Sequence, residues 1–367
     1  MRTRYKVLNG ILIVLAVGAV SAGMYVSHDS PCGDAPPLTG DAPRMKAIVA
    51  RCYGPPEVLK LEEIEKPTPK DNELLVRVRA ASVNPLDWHM MRGSPYIVRF
   101  DAGIGVPKDM RMGVDFAGTV EAIGKDVKQF HVGDEVFGGR DGAFAEYLQV
   151  REDRAVTLKP ANITFEQAAA VPIAALTALQ ALRDEGHLQR GQKVLINGAS
   201  GGVGTFAVQI AKSMGAEVTG VCSTRNVEMV RKLGADHVID YTKENYTDAS
   251  VQYDLILDNV GSQSLLANRR VLKPDGIFVI VGGPKGDWLG PLASPIKAMV
   301  VSPFVKQKMG FFISGMDQKD LNTLRDLMQS GAVTPVIDRA YPLKQTSEAI
   351  AYLEDGHARG KVVITVE

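Results

Sequence analysis

The sequence predicts an α/β protein in which a doubly wound parallel sheet is inserted into a β-rich domain that the chain leaves and later re-enters. Three textures carry this expectation. The short runs "MKAIVA", "ELLVRVRAASV", "GTVEAIG" and "GDEVFG" are separated by Gly, Pro and Asp turns, the pattern of a barrel-like β domain. From Lys193 strands and helices alternate, and "HVIDY", "YDLILDNV" and "GIFVIVG" are apolar on both faces, as strands covered on both sides must be. From Ala332 the β texture returns and ends in "GKVVITVE". The expected domains are therefore 45–171 with 331–367 for the split β-rich part and 172–330 for the insert, preceded by a hydrophobic segment over 1–27 and a linker over 28–44.

The first residues stand apart. Arg2, Arg4 and Lys6 precede an uncharged stretch, Val7–Val26. As a helix at ~1.5 Å per residue it reaches ~30 Å, the hydrocarbon thickness of a bilayer. A single uncleaved N-terminal helix anchoring the chain to a membrane is the preferred reading. Cleavage near Gly23 in "AVSAG", as in a signal peptide, or a true start at Met45, would leave a soluble chain. Basic residues ahead of the apolar stretch predict an N-terminus in the cytoplasm. His28–Arg44 is rich in Pro, Gly and Asp and reads as a flexible linker.

In the folded part, Thr164 is the expected N-cap of a helix over "TFEQAAAVPIAALTALQALRDEG", with Gln167 completing a capping box. Strands are expected at Lys193–Asn197, Glu217–Cys222 and Gly310–Ser314, and helices at Val203–Met214, Asn226–Leu233 and Asp317–Ser330. The 42 basic and 42 acidic residues balance, which gives no reason to expect a nucleic acid partner. Cys32, Cys52 and Cys222 stand singly, so spacing implies neither a metal site nor a disulfide framework, and the six histidines supply no ligand pair.

One stretch carries chemistry. In "INGASGGVGTFAVQIAK", Ile196–Lys212, a strand runs into a turn of small residues and then a helix. Ala199, Gly201 and Gly204 occupy the three positions of G-x-G-x-x-G, with Ala in place of the first Gly, and Gly198 and Gly202 add further freedom. Small residues let the backbone approach a pyrophosphate, and the helix N-terminus offers free N–H groups and partial positive charge. A dinucleotide is therefore expected here. The following strand ends in "VCSTRN", with hydroxyls at Ser223 and Thr224 and a guanidinium at Arg225 where an NAD site places a carboxylate. A 2′-phosphate suits that set, so the expected cofactor is NADPH.

These residues bring a family into view. "GQKVLINGASGGVGTFAVQIAK" resembles the quinone oxidoreductase signature of the medium-chain dehydrogenase/reductase superfamily, and the likeness extends through "SVNPLDW", "GVDFAGTVEAIG", "RKLGADHVIDY", "LDNVG" and "GHARGKVVI", from Met45 to Glu367. The resemblance implies a GroES-like substrate domain around a Rossmann domain. By position it places Ser200, Gly202 and Val203 on the pyrophosphate, Ser223 on the 2′-phosphate, Tyr241 near the adenosine phosphate, Asn259 and Gly282 on the nicotinamide side and Lys361 near the cofactor. With Gly201, Gly204 and Arg225 from the turn and strand end, and Thr177, these make the expected cofactor set. In zinc-dependent members a Cys and a His hold the metal; here Asn84 and Val114 stand at those positions and no four-cysteine lobe is present, so no metal is expected.

For catalysis, Asn84 is the candidate to orient substrate or nicotinamide, and Asp87 to organise it or relay a proton, although both residue types also form turns. The apolar, basic-ended stretch "GDWLGPLASPIKAMVVSPFVKQK" is read either as a lid or membrane contact, or as a buried helix. The expected activity is zinc-independent transfer of hydride from NADPH to quinones or reactive α,β-unsaturated carbonyls. Reduction of saturated aldehydes or ketones, and a non-catalytic NADPH sensor, are the alternatives. The expected partners are a small lipophilic substrate, the membrane through the N-terminal segment, and a second copy in a homodimer.

Overall fold

Two antiparallel strands, β1 (Arg44–Ala50) and β2 (Leu59–Glu65), are the first strands of the computed structural model, which describes residues 18, 20–38, 40–283, 286–288 and 293–367. The run "ELLVRVRAASV" forms β3 (Glu73–Val83) because its β-branched residues are buried while Arg77 and Arg79 point outward. Around it lie β4 (Asp115–Ile123), β5 (Glu135–Gly139), β6 (Tyr147–Arg151) and β7 (Val156–Leu158). The insert contributes β8 (Lys193–Asn197), β9 (Glu217–Cys222), β10 (His237–Asp240), β11 (Tyr253–Asp258), β12 (Leu272–Ile280) and β13 (Lys308–Phe311). The chain closes with β14 (Ile337–Pro342) and β15 (Lys361–Thr365).

β8–β13 form a six-stranded sheet in the order β10-β9-β8-β11-β12-β13, parallel throughout. The order reverses at β8, and it is there that α/β sheets of this kind open a crevice at their carboxyl ends. The second large sheet runs β14-β15-β3-β4-β5-β7, with β6 also on β3. The returning tail therefore lies beside β3, with Val362 opposite Val83. One apolar core, with Phe116, Phe144, Val78 and Ile364, fills the β-rich part. Another runs from Leu257 and Phe206 through Leu176 on the helix Pro172–Gln180 to Ala117 and Val363, so packing is continuous between the two sheets.

Several expectations shift in detail. The capping box at Thr164 forms, with Gln167 N–H donating to Thr164 Oγ1 at 3.2 Å. The helix it starts nevertheless ends at Ala169, and a new one begins at Pro172, because a proline has no N–H to continue the ladder. The last strand of the insert begins at Lys308 and ends at Phe311, earlier than expected.

The N-terminal expectations change more. Most of the Val7–Val26 stretch lies outside the described residues; residues 20–27 are helical, and among the described residues no helix is long and apolar enough to cross a membrane. The linker is fastened at its start. Arg99, only 1 % exposed, is clasped by the carbonyls of Val26 and His28 (both 3.1 Å) and the Asp29 carboxylate (2.8 Å), with the rings of Tyr53 and Tyr96 stacked against its guanidinium. Asp29 also bridges to Gly105. Cys32 and Cys52, expected to be unpaired, are joined in a disulfide with Cα atoms 4.6 Å apart. Sequence spacing gave no sign of it because the pairing arises from this fold-back onto the β domain.

Candidate active site

At the carboxyl end of β8 the chain turns through Gly198, whose φ of 79° favours glycine, and enters the helix Gly202–Ser213. A Cβ on Gly204 would lie 2.1 Å from the Gly198 carbonyl oxygen, so the helix packs on the turn only because that position lacks a side chain. Gly201, the N-cap, offers no side-chain acceptor to the first turn of the helix, the end that carries partial positive charge. Val203, half-buried, packs its side chain on the core beneath.

β9 ends beside this turn. Asn226 Nδ2 donates to Ser200 Oγ at 3.0 Å and to Ser223 Oγ at 3.3 Å, tying the two serines together, while its Oδ1 is buried without a partner among the described residues. Sequence reasoning passed over Asn226, although it closes the same "VCSTRN" stretch. Thr224 does not contribute a free hydroxyl as expected: it donates to Asp240 Oδ2 at 2.6 Å. That bond, with help from Thr242 and Lys243, holds the Asp240 carboxyl well below the usual range. Arg225 donates from Nη2 to the His357 carbonyl at 2.7 Å, reaching the loop before β15. Tyr241 follows β10 with its ring exposed at the rim.

On the other side of the same switch, Asn259 follows β11. Its Nδ2 donates to the Asn197 carbonyl at 3.0 Å and its Oδ1 is buried and unpartnered among the described residues. A Cβ on Gly282 would stand 2.1 Å from the Asn259 carbonyl oxygen, so these two expected residues do meet, backbone to backbone. Thr177 lies on the helix Pro172–Gln180, its Oγ1 donating to the Ile173 carbonyl and paired with Ser314 Oγ at 2.9 Å. Beyond Gly283, Ser94 Oγ donates to the Asp287 carboxylate at 2.7 Å and Trp288 meets Tyr96 edge-on, so this segment closes onto the β-rich part.

The opposite wall is a buried polar cluster. Asn84 caps the helix Pro85–Arg92, and its backbone N–H donates to Asp87 Oδ2 at 2.7 Å. Its amide donates from Nδ2 to Asp115 Oδ2 at 2.9 Å and accepts from Lys361 Nζ through Oδ1, so an amide expected to face substrate is engaged at both ends inside the protein. Lys361, first residue of β15, also donates to the Val83 carbonyl at 3.2 Å and lies 3.6 Å from Asp115 Oδ2. Burial pushes the Asp115 carboxyl up and the Lys361 ammonium down. Burial also pushes Asp87 up, to about 7, with the negative Asp115 adding to it and the Asn84 N–H and Lys361 opposing.

The two walls touch at the tail. Gly360 N–H donates to the Ser200 carbonyl at 2.9 Å, and a Cβ on Gly202 would come 3.2 Å from Lys361 Cδ. The expected Ser200, Gly201, Gly202, Gly204, Ser223 and Lys361 are thus brought together, as are Asn84 and Asp87. Asp115, at the centre of this cluster, was not among the residues expected from sequence; its signal, an acid within the apolar "GVDFAG", lay in plain view.

The turn fits a dinucleotide: a glycine cradle that side chains would fill, a helix N-terminus with no side-chain cap, and buried orphan acceptors on Asn226 after β9 and Asn259 after β11. Zinc does not fit the family's metal positions, where an engaged amide and the apolar Val114 stand. Among the described residues no group of three or more His, Cys, Asp or Glu is placed to hold a metal ion.

Fold and site together define an oxidoreductase that uses a nicotinamide dinucleotide. Residues 70–160 match the alcohol dehydrogenase GroES-like domain and residues 233–364 the zinc-binding dehydrogenase family. The mitochondrial NAD(P)H oxidoreductase RTN4IP1 of Mus musculus is 35% identical over 363 residues, covering 88% of this chain and 89% of its own. The chloroplastic NADPH-dependent alkenal/one oxidoreductase of Arabidopsis thaliana is 35% identical over 347 residues, covering 89% and 82%. The solved quinone oxidoreductase of Coxiella burnetii superposes with a TM-score of 0.78 at 31% identity, covering 89% of this chain and all of that one. The chain belongs to the medium-chain dehydrogenase/reductase superfamily.

Proposed function

We propose that the chain is an NADPH-dependent, zinc-independent reductase that delivers hydride to quinones or α,β-unsaturated carbonyls. The observation that carries the cofactor choice is the end of β9: no carboxylate follows Cys222, while Ser223 is tied to Ser200 by Asn226 and Arg225 stands beside them. In this reading the glycine turn and Ser200 take the pyrophosphate, Ser223 and Arg225 the 2′-phosphate, and Tyr241 the adenosine side. Asn259, Gly282, Thr177 and Lys361 flank the nicotinamide. The substrate class is supported by the quinone and alkenal/one activities in the relatives' names.

NADPH, when bound, supplies the hydride; the protein must supply a dry cleft and one proton per turnover. Asp87 is proposed to hold that proton, since burial keeps its carboxyl half-protonated near neutrality. Asn84 fixes Asp87 through its backbone N–H. The domain division at 171/172 and 330/331 belongs to this reading, supported by β14 and β15 lying in the sheet of β3. So does a membrane anchor over 1–27, supported by the uncharged Val7–Val26, for which retention on membranes through a high-salt wash is expected and full release would count against it.

The test is titration with NADPH and NADH, followed by NADPH oxidation with a short-chain quinone and an enone. Ser223→Ala and Arg225→Ala should each weaken NADPH binding about tenfold and leave NADH unchanged. NADH serves as the control for the Arg225–His357 contact. Equal affinity of the unaltered protein for both cofactors would overturn the NADPH assignment, and binding without turnover would overturn the reductase.

A further inference from the structure

Four donors converge on one fully buried carboxylate. Asp115 Oδ1 accepts from the backbone N–H of Ile173 at 3.0 Å, at the start of the helix that leads into the insert. Its Oδ2 accepts from Ser82 Oγ at 3.0 Å and from Asn84 Nδ2 at 2.9 Å, and faces Lys361 Nζ at 3.6 Å. These partners come from the end of β3, the cap of the helix Pro85–Arg92, the entry to the insert and the returning tail. A buried charge pair is weak evidence for stability, because apolar residues of similar volume would serve as well; what it provides is orientation.

The orientation provided here is that of Lys361. Its stem lies against Gly202, the first residue of a helix whose N-terminus carries partial positive charge, a place that disfavours a cation unless an anion accompanies it. Asp115 is that anion from within the protein, and the Asn84 amide, bonded to both, transmits one orientation to the other. Gly360, one residue before Lys361, bonds the Ser200 carbonyl and bridges to Gly201.

We propose that Asp115 is a positioning residue for the cofactor site: through Asn84 and Lys361 it sets the register of the returning tail against the glycine turn, and so couples the two walls of the crevice. The proposal rests on the dinucleotide reading of that turn and goes beyond it, since the polar partners of Asp115, namely Ser82, Asn84, Ile173 and Lys361, all lie outside the turn.

The experiment is a double-mutant cycle read as the NADPH dissociation constant, by quenching of protein fluorescence on the full chain, with thermal unfolding measured alongside. Asp115→Asn and Lys361→Met should each weaken NADPH about tenfold or more. The double variant should be no weaker than either alone, because both break one device, and Lys361→Arg should restore part of the affinity lost in Lys361→Met. Unchanged NADPH affinity in Asp115→Asn, with only a lower unfolding temperature, would overturn the proposal. So would additive losses in the double variant. Where Asp115→Asn does not fold, the contrast between Lys361→Met and Lys361→Arg decides: equal affinity in both overturns it. Quinone and enone turnover plays no part in these readouts, so a protein that binds NADPH without turning over would sink the reductase reading and leave this one standing.

Discussion

The two walls of the crevice handle their polar atoms in opposite ways. On the side of the β-rich domain, Asp115, Asn84, Lys361 and Ser82 are buried and complete one another's hydrogen bonds. On the parallel-sheet side, Asn226 and Asn259 are each anchored through Nδ2 and leave Oδ1 buried and unpartnered among the described residues. A buried acceptor without a donor costs about 1–3 kcal/mol, so it persists where something else supplies the donor. One wall is complete in itself, and the other leaves two acceptors that the proposed cofactor would complete.

The largest way to break this contrast is to fill the cradle. Gly204→Ala puts a Cβ within 2.8 Å of the Ala199 backbone and closer still to the Gly198 oxygen. We expect NADPH affinity to fall more than 100-fold and stability by roughly 3 kcal/mol, measured by titration and thermal unfolding. Binding like that of the unaltered protein would show that the turn does not cradle the cofactor.

The next largest effect concerns the finished wall. Asp87 titrates near 7 when folded and near 3.9 when unfolded, so between those values the folded chain keeps a proton that the unfolded chain has lost. Stability attributable to Asp87 is therefore constant below about pH 4, falls as pH rises toward 7, and levels off above. From pH 5 to pH 8 the fall is about 2–3 kcal/mol at ~1.4 kcal/mol per unit. Asp87→Asn, which cannot ionise yet can accept the Asn84 N–H, should flatten that slope in denaturant titrations at the two pH values. An unchanged slope would remove Asp87 as the group that carries the proton.

The smallest effect sharpens the open wall. Asn226→Ala removes the link between Ser200 and Ser223 and should weaken NADPH about tenfold, ~1.4 kcal/mol, with little change in unfolding temperature because an orphan acceptor goes with it. A large drop in unfolding temperature with unchanged affinity would mark Asn226 as structural.

The parallel-sheet wall was the more legible from sequence, because backbone chemistry makes it. Small residues at fixed positions between a strand and a helix leave a local trace, so the turn at Gly198–Gly204 stood out. The cluster around Asp115 gathers residues 82, 84, 115, 173 and 361, which no local spacing connects. Asn84 was singled out as a candidate to orient substrate or nicotinamide, yet its amide is engaged inside the protein; an Asn facing inward and an Asn facing a ligand have the same sequence. Pro172 shows the complementary miss, where an apolar periodicity hid a break that proline imposes. The pairing of Cys32 with Cys52 was invisible for the same reason as Asp115, being a contact made by the fold.

That disulfide and the Arg99 clasp also bear on how the chain is handled and where it has been. Trimming to Met45 would remove the carbonyls of Val26 and His28 and the Asp29 carboxylate, leaving the Arg99 guanidinium between two tyrosines with only the carbonyls of Gly93 and Arg92 to accept from it. It would leave Cys52 as a lone thiol. Disulfides persist in oxidising surroundings and are kept open in reducing ones. The chain thus carries a record of its own surroundings: alkylation of the unfolded protein finds Cys222 alone where the pair has closed, and all three cysteines where it has not.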